Sequence, residues 1–135
     1  MKRFTILPVL LAVSLVATVA FAASDRKVTA SFETLASSGI AGKAELQAMP
    51  KSTTLIHETI RGLAPNTQYV SIIYANGSCG TEPFSEANVV ARFTANANGI
   101  ANVTQKVDRD LVAIGSLSIQ LASDLSVQAC AAVPR

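Results

Sequence analysis

Leu117-Ser118-Ile119-Gln120-Leu121, then Ala122-Ser123-Asp124, then Leu125-Ser126-Val127-Gln128-Ala129-Cys130-Ala131: apolar and small or polar residues alternate one for one on both sides of a short polar break. Successive side chains of an extended strand point to opposite faces, so a period of two specifies two half-buried strands joined tightly. Leu117, Ile119 and Leu121 are expected on one face, and Leu125, Val127 and Ala129 together on a face of the next strand.

Six further runs lie upstream. Val28 to Phe32 and Lys43 to Ala48 alternate in the same way, and Thr53 to Leu63 is rich in Thr and Ile. Tyr69 to Ala75 is β-branched and aromatic; Val89 to Thr94 and Ile100 to Val107 complete the set. The breaks carry turn chemistry: Ser37-Ser38-Gly39, Ala64-Pro65-Asn66, Asn76-Gly77-Ser78 and Asn96-Ala97-Asn98-Gly99. Asp108-Arg109-Asp110 begins a longer connection to Gly115. Eight short runs so spaced predict an all-β domain, an antiparallel sandwich or barrel. The one stretch that also reads as a short helix is Gly42 to Met49. At 135 residues the chain supports a single core, and no linker or internal repeat divides it.

The first 22 residues read as an address. Lys2 and Arg3 precede an apolar run from Phe4 to Phe21, and Ala20-Phe21-Ala22 has the small-x-small form of a cleavage site. Cleavage is expected after Ala22, leaving residues 23–135 as the mature domain; the competing reading is an uncleaved membrane anchor. A cleaved leader implies a periplasmic or secreted protein with no membrane span. Loss of Lys2 and Arg3 leaves nine basic against nine acidic residues, so the formal charge of +2 belongs to the leader. No basic cluster remains to hold phosphates, and nucleic acid is not an expected partner.

Cys79 and Cys130 are the only cysteines, and in an exported chain an even pair reads as one disulfide, the alternative being two buried thiols. His57 is the only imidazole. It stands beside Glu58 on an expected strand, where neighbours face opposite ways and cannot share a site. Met49 with His57 would make at most a sparse copper(I) site. There is no Gly-x-Ser-x-Gly elbow for a nucleophile. These counts predict no catalytic residues, no metal and no cofactor. The stretch from Asn76 to Glu86 is the best surface for recognition: it follows a strand, is anchored by Cys79, and sets Phe84 between Glu82 and Glu86. The competing reading folds Phe84 onto the core. Asn76-Gly77-Ser78 and Asn102-Val103-Thr104 fit the N-glycosylation pattern, which matters only in a secretory route that uses it. Tyr69 and Tyr74 are expected on opposite faces of one strand.

The order of these pieces resembles the copper/zinc superoxide dismutase-like β-sandwich family. Gly62-Leu63-Ala64-Pro65-Asn66 followed by Tyr69 to Tyr74 is similar to that family's Gly-Leu-x-Pro-Gly turn and copper-ligand strand. Cys79 is similar to its first disulfide cysteine, and Thr94 to Ala101 to its Asp-x-Asp/Asn-Gly-x-Ala hairpin. Ser118 to Leu125 resembles the segment ending Asp-Asp-Leu, and Val127 to Val133 the closing Ala-Cys-Gly-Val strand. The resemblance implies an eight-stranded Greek-key sandwich whose disulfide pins the loop after strand four to strand eight. The departures decide function. Tyr69-Val70-Ser71-Ile72-Ile73-Tyr74 stands where His-x-His would be, Gly80 to Asn88 lacks the His-rich zinc loop, and Val127 replaces the guiding Arg. Gly62 to Tyr69 also resembles the Gly-Leu-x-Pro-x-Thr-x-Tyr corner of fibronectin type III domains. That corner comes late in its own family, whereas 66 residues follow Tyr69 here.

The expectation is an exported, non-catalytic binding or interaction module for an unidentified protein or cell-surface partner. The alternatives are a metal-handling or dismutase-related redox protein, and an assembly subunit that pairs through strand edges.

Overall fold

Thr54, Ile56, Glu58 and Ile60 are buried while His57 and Arg61 are exposed, so the two-residue period governs the third strand as it governs the others. The computed structural model describes residues 26–135; the leader and the cleavage site after Ala22 lie outside the described residues. Eight antiparallel strands follow in order: β1 Lys27–Thr34, β2 Ala41–Met49, β3 Thr53–Arg61, β4 Gln68–Tyr74, β5 Val89–Thr94, β6 Ala101–Val107, β7 Ser116–Leu121 and β8 Val127–Ala132. Single 3-10 turns at Glu86–Asn88 and Leu111–Ala113 are the only helical pieces among the described residues. No helix there is long and apolar enough to cross a membrane.

The strands form one sheet in the order β5-β4-β7-β8-β1-β2-β3-β6. It curls until β5 and β6, the two ends, lie against each other, so the sheet is nearly closed and barrel-like. Two halves can be distinguished. β1, β2, β3 and β6 pair over long registers, as do β5, β4, β7 and β8, but β1 meets β8 through only Glu33↔Cys130 and Thr34↔Ala129. The inner faces enclose one core built from Ala30, Phe32, Leu46, Ile56, Ile60, Tyr69, Ile73, Leu117, Ile119 and their neighbours.

Two sequence expectations change. Gly42 to Met49 is strand, not helix, because β2 is paired on both sides, to β1 and to β3. Leu125, Val127 and Ala129 do not share a face. Ile119 pairs with Ala129 but Gln120 pairs with Val127, so Gln128 is an extra residue that turns the strand over. Leu125 sits before the strand with φ +58°, its N–H donating to the Leu121 carbonyl at 2.9 Å. Ala129 therefore enters the core, whereas Leu125 and Val127 pack outside it, beside Val70, Ile72, Tyr74 and Cys79.

That second cluster explains why β4 reads as an almost unbroken apolar run. Both faces of β4 are covered, Tyr69, Ser71 and Ile73 looking inward and Val70, Ile72 and Tyr74 outward. Tyr69 and Tyr74 do face opposite sides, and both are buried. The Tyr69 ring stacks on Phe93 at 6.0 Å, and its hydroxyl accepts from the Ala64 N–H at 2.9 Å, fixing the corner before the strand. Tyr74 is met by the Gln120 side-chain amide, which also donates to Ser118. Each buried polar tip is thereby satisfied.

Candidate functional site

The connection from β4 to β5 covers residues 75–88 and crosses the outer cluster. Its conformation is fixed from within. Cys79 has φ +55° and is bonded to Cys130 of β8, with 5.9 Å between the Cα atoms. The Cys79 N–H donates to the Ser116 hydroxyl at 3.0 Å, and that hydroxyl donates to the Asn76 carbonyl at 2.7 Å. The Asn76 side chain closes the loop further, its amide donating to the Gly80 carbonyl at 2.6 Å while its oxygen accepts from the Ser78 N–H at 2.9 Å.

The three residues singled out for recognition have different fates. The Glu82 carboxylate turns back to accept from the Ala75 and Asn76 N–H groups, each at 3.1 Å, and from the Asn76 side-chain amide. It caps the chain as it leaves β4. Glu86 pairs with Arg92 of β5 in an exposed ion pair. Such pairs contribute little to stability, about 0–1 kcal/mol. Phe84 is 45% exposed and is not one of the buried core residues. The loop therefore offers one aromatic ring on a braced backbone rather than a ring between two free carboxylates.

Gly115 makes the close approach that seats this loop. Its N–H donates to the Tyr74 carbonyl at 2.7 Å, and a Cβ there would stand 2.2 Å from the Ala75 carbonyl and 2.5 Å from that of Asn76. Gly115→Ala is expected to destabilise the fold by about 2 kcal/mol, the usual scale for overpacking against unyielding atoms. Chemical unfolding checks this, and an unchanged midpoint would show that the loop shifts without cost.

His57 lies on the exposed outer face of β3, in register with Glu45 of β2 and Thr104 of β6, and its Nδ1 is 2.7 Å from the Thr104 hydroxyl. Glu45 is engaged by Lys27 at 3.3 Å and Lys43 at 3.7 Å. Lys27, more than any other neighbour, holds its carboxyl below the ordinary range. Met49 cannot join His57 at one copper ion. Met49 is paired with Thr53, four residues along β3 from His57, a separation of about 13 Å at strand rise. Among the described residues no group of three or more His, Cys, Asp or Glu is placed to hold a metal ion.

Glu58 turns the other way and is the residue that sequence reasoning passed over. It is fully buried in the core, and the Ser71 hydroxyl of β4 donates to its Oε1 at 2.6 Å. Oε2 has no partner. Desolvation outweighs the Ser71 hydrogen bond and raises its pKa from 4.5 to about 7. The signal was present in the sequence: Glu58 has the parity of Ile56 and Ile60, so the alternation that buries them buries it too.

Fold and loop together define the chain as an all-β protein of eight antiparallel strands carrying a disulfide-braced loop. Its sequence matches no family model and no curated protein.

Proposed function

We propose that the protein is an exported, non-catalytic binding module that recognises its partner through the loop of residues 75–88, with Phe84 as the anchor. The observation that carries this reading is the exposed Phe84 ring on a backbone held by the Cys79–Cys130 bridge and the Glu82 cap. A large apolar side chain presented on a rigid loop loses little freedom on binding, which is the usual form of an interface anchor. The sheet supplies the rigid support and does not by itself specify a function.

The finer reading of the fold is a Greek-key sandwich of the dismutase-like kind without its metal centre. The crossings from β3 to β4 and from β6 to β7, the hydroxyl-bonded corner at Tyr69, and the bridge from the loop after β4 to β8 support it. Export by a cleaved leader is part of the same reading. Intact mass of the protein recovered from outside the cytoplasm is expected to correspond to residues 23–135 with both cysteines oxidised. Pairing with another chain through a strand edge is less well supported, because β5 and β6 shield each other.

The test compares wild type with Phe84→Ala as bait in an envelope extract. Substitution of an anchor costs about 2 kcal/mol or more, so retention of a saturable partner is expected to fall at least about tenfold. The unfolding midpoint should move little, since Phe84 is 45% exposed and is not one of the buried core residues. Equal retention by both proteins would remove the loop from the proposal, and absence of any saturable partner would remove the binding function.

A further inference from the structure

The near-closed sheet has one seam. β5 is hydrogen-bonded to β4 and β6 to β3, and β5 and β6 run beside each other without a ladder between them. They are joined by the turn at Asn96–Gly99. At their far ends the seam widens into a cleft of about 230 Å³, lined by Val89, Val90, Val107 and Arg109. No strand ladder closes the seam, and at its far end the Arg109 guanidinium donates to the Asn88 side-chain oxygen at 2.7 Å.

One strand in from each side stand Glu58 and Ser71. Glu58 is in register with Val103 of β6, and Ser71 with Ala91 of β5. Their 2.6 Å hydrogen bond joins the two halves of the molecule from inside, directly behind the seam. Among the described residues it is the one side-chain hydrogen bond within the core that links β3 to β4.

We infer that Glu58 and Ser71 form a proton-operated latch that holds the sheet closed along the β5–β6 seam. A neutral carboxyl leaves one unpaired hydroxyl, on Oε2, in the core. A carboxylate leaves a share of full negative charge on an oxygen without a partner, a far larger cost. Among the described residues no cation offsets it. The inner side chains of β1, β2, β5, β6, β7 and β8 carry no charge, and Tyr69 of β4, the one titratable neighbour, is engaged with Ala64. Lys43, Glu45, His57 and Arg61 occupy the outer face. Arg92 is held by Glu86, Arg109 reaches Asn88, and Lys106 is exposed. Water is the partner that an ionised Glu58 lacks, and the seam is the one place between neighbouring strands of the described sheet where no ladder bars it. Burial sets the change in charge near neutral pH, with the proton held until about pH 7.

The test is amide hydrogen exchange of the exported protein at pH 5 and pH 8, corrected for intrinsic rates, with and without low urea. Protection of the β5 and β6 amides is expected to fall by about a hundredfold between those values, tenfold for each pH unit below the folded pKa. The exchange should be insensitive to urea, as for a local opening. Glu58→Gln, which keeps an acceptor for the Ser71 hydroxyl without a charge, should abolish the pH response. Ser71→Ala should lower seam protection at pH 5 as well. The proposal is overturned if β5 and β6 share protection and urea dependence with the β1–β2 and β7–β8 ladders at both pH values, or if Glu58→Gln keeps the wild-type response. The wild-type profiles decide the matter alone should either variant fail to fold.

Discussion

Replacing both cysteines with alanine lowers the unfolding free energy by about 4 kcal/mol, the chain-entropy value for a covalent ring of this size. The Cys79–Cys130 bond, at a sequence separation of 51, encloses β5, β6 and β7 entirely. It restricts the unfolded chain over that whole span. In the folded state it also seals the outer cluster, where both half-cystines pack with Val70, Ile72 and Tyr74. Urea unfolding of wild type and the double variant measures the effect. A loss below about 1 kcal/mol would place the stabilisation in the Ser116, Asn76 and Glu82 hydrogen bonds instead.

Stability falls as pH rises from about 4.5 to about 7, by about 3 kcal/mol in total, and is level above that. The sign follows from Glu58. Unfolded, it releases its proton at the ordinary value of 4.5; folded, it holds the proton to about 7. Between those values the native state binds a proton that the unfolded state has given up, so each unit of pH shifts the balance toward unfolding about tenfold. Glu45 and Asp124 act in the opposite direction. Their carboxyls are stabilised as anions by Lys27 and by the Ser126 N–H, so their contribution is lost as pH falls below the ordinary carboxylate range. The stability maximum is therefore expected near pH 4.5, below the range common for globular domains. Midpoints measured from pH 4 to 8 check this, and Glu58→Gln should flatten the upper limb. A wild-type curve that rises from pH 5 to 7 would contradict the buried, charge-averse Glu58.

Strand content was legible because alternation is a local property. Each of the eight runs read from the sequence overlaps an observed strand. The bulge at Gln128 was not legible. Nothing in Leu125-Ser126-Val127-Gln128 marks where the ladder slips, since the slip depends on the pairing of Gln120 with Val127. The loop was legible in position, but its internal bracing was not. The Glu82 carboxylate accepts from the Ala75 and Asn76 N–H groups, six or seven residues back, a contact that only the folded chain creates. Glu58 was hidden by a rule about residue type. Carboxylates are almost never fully buried, and that expectation outweighed the parity that placed it inside.

The order of strands also dictates a timetable. β8 lies between β7 and β1, and among the described residues its ladder with β1 is the one strand pairing that joins the two halves, yet of the eight strands β8 is the last in the chain. A nascent polypeptide carries seven strands before the one that unites them. Until Val127–Ala132 is free, Phe32 and Leu117 belong to separate, half-built sheets with their apolar faces bare, and Cys79 has no partner for oxidation. Long-range pairings of this kind fold slowly, on the scale of milliseconds to seconds. The strand order thus leaves closure of the sheet, and of the covalent ring, to the last strand of the domain to be made.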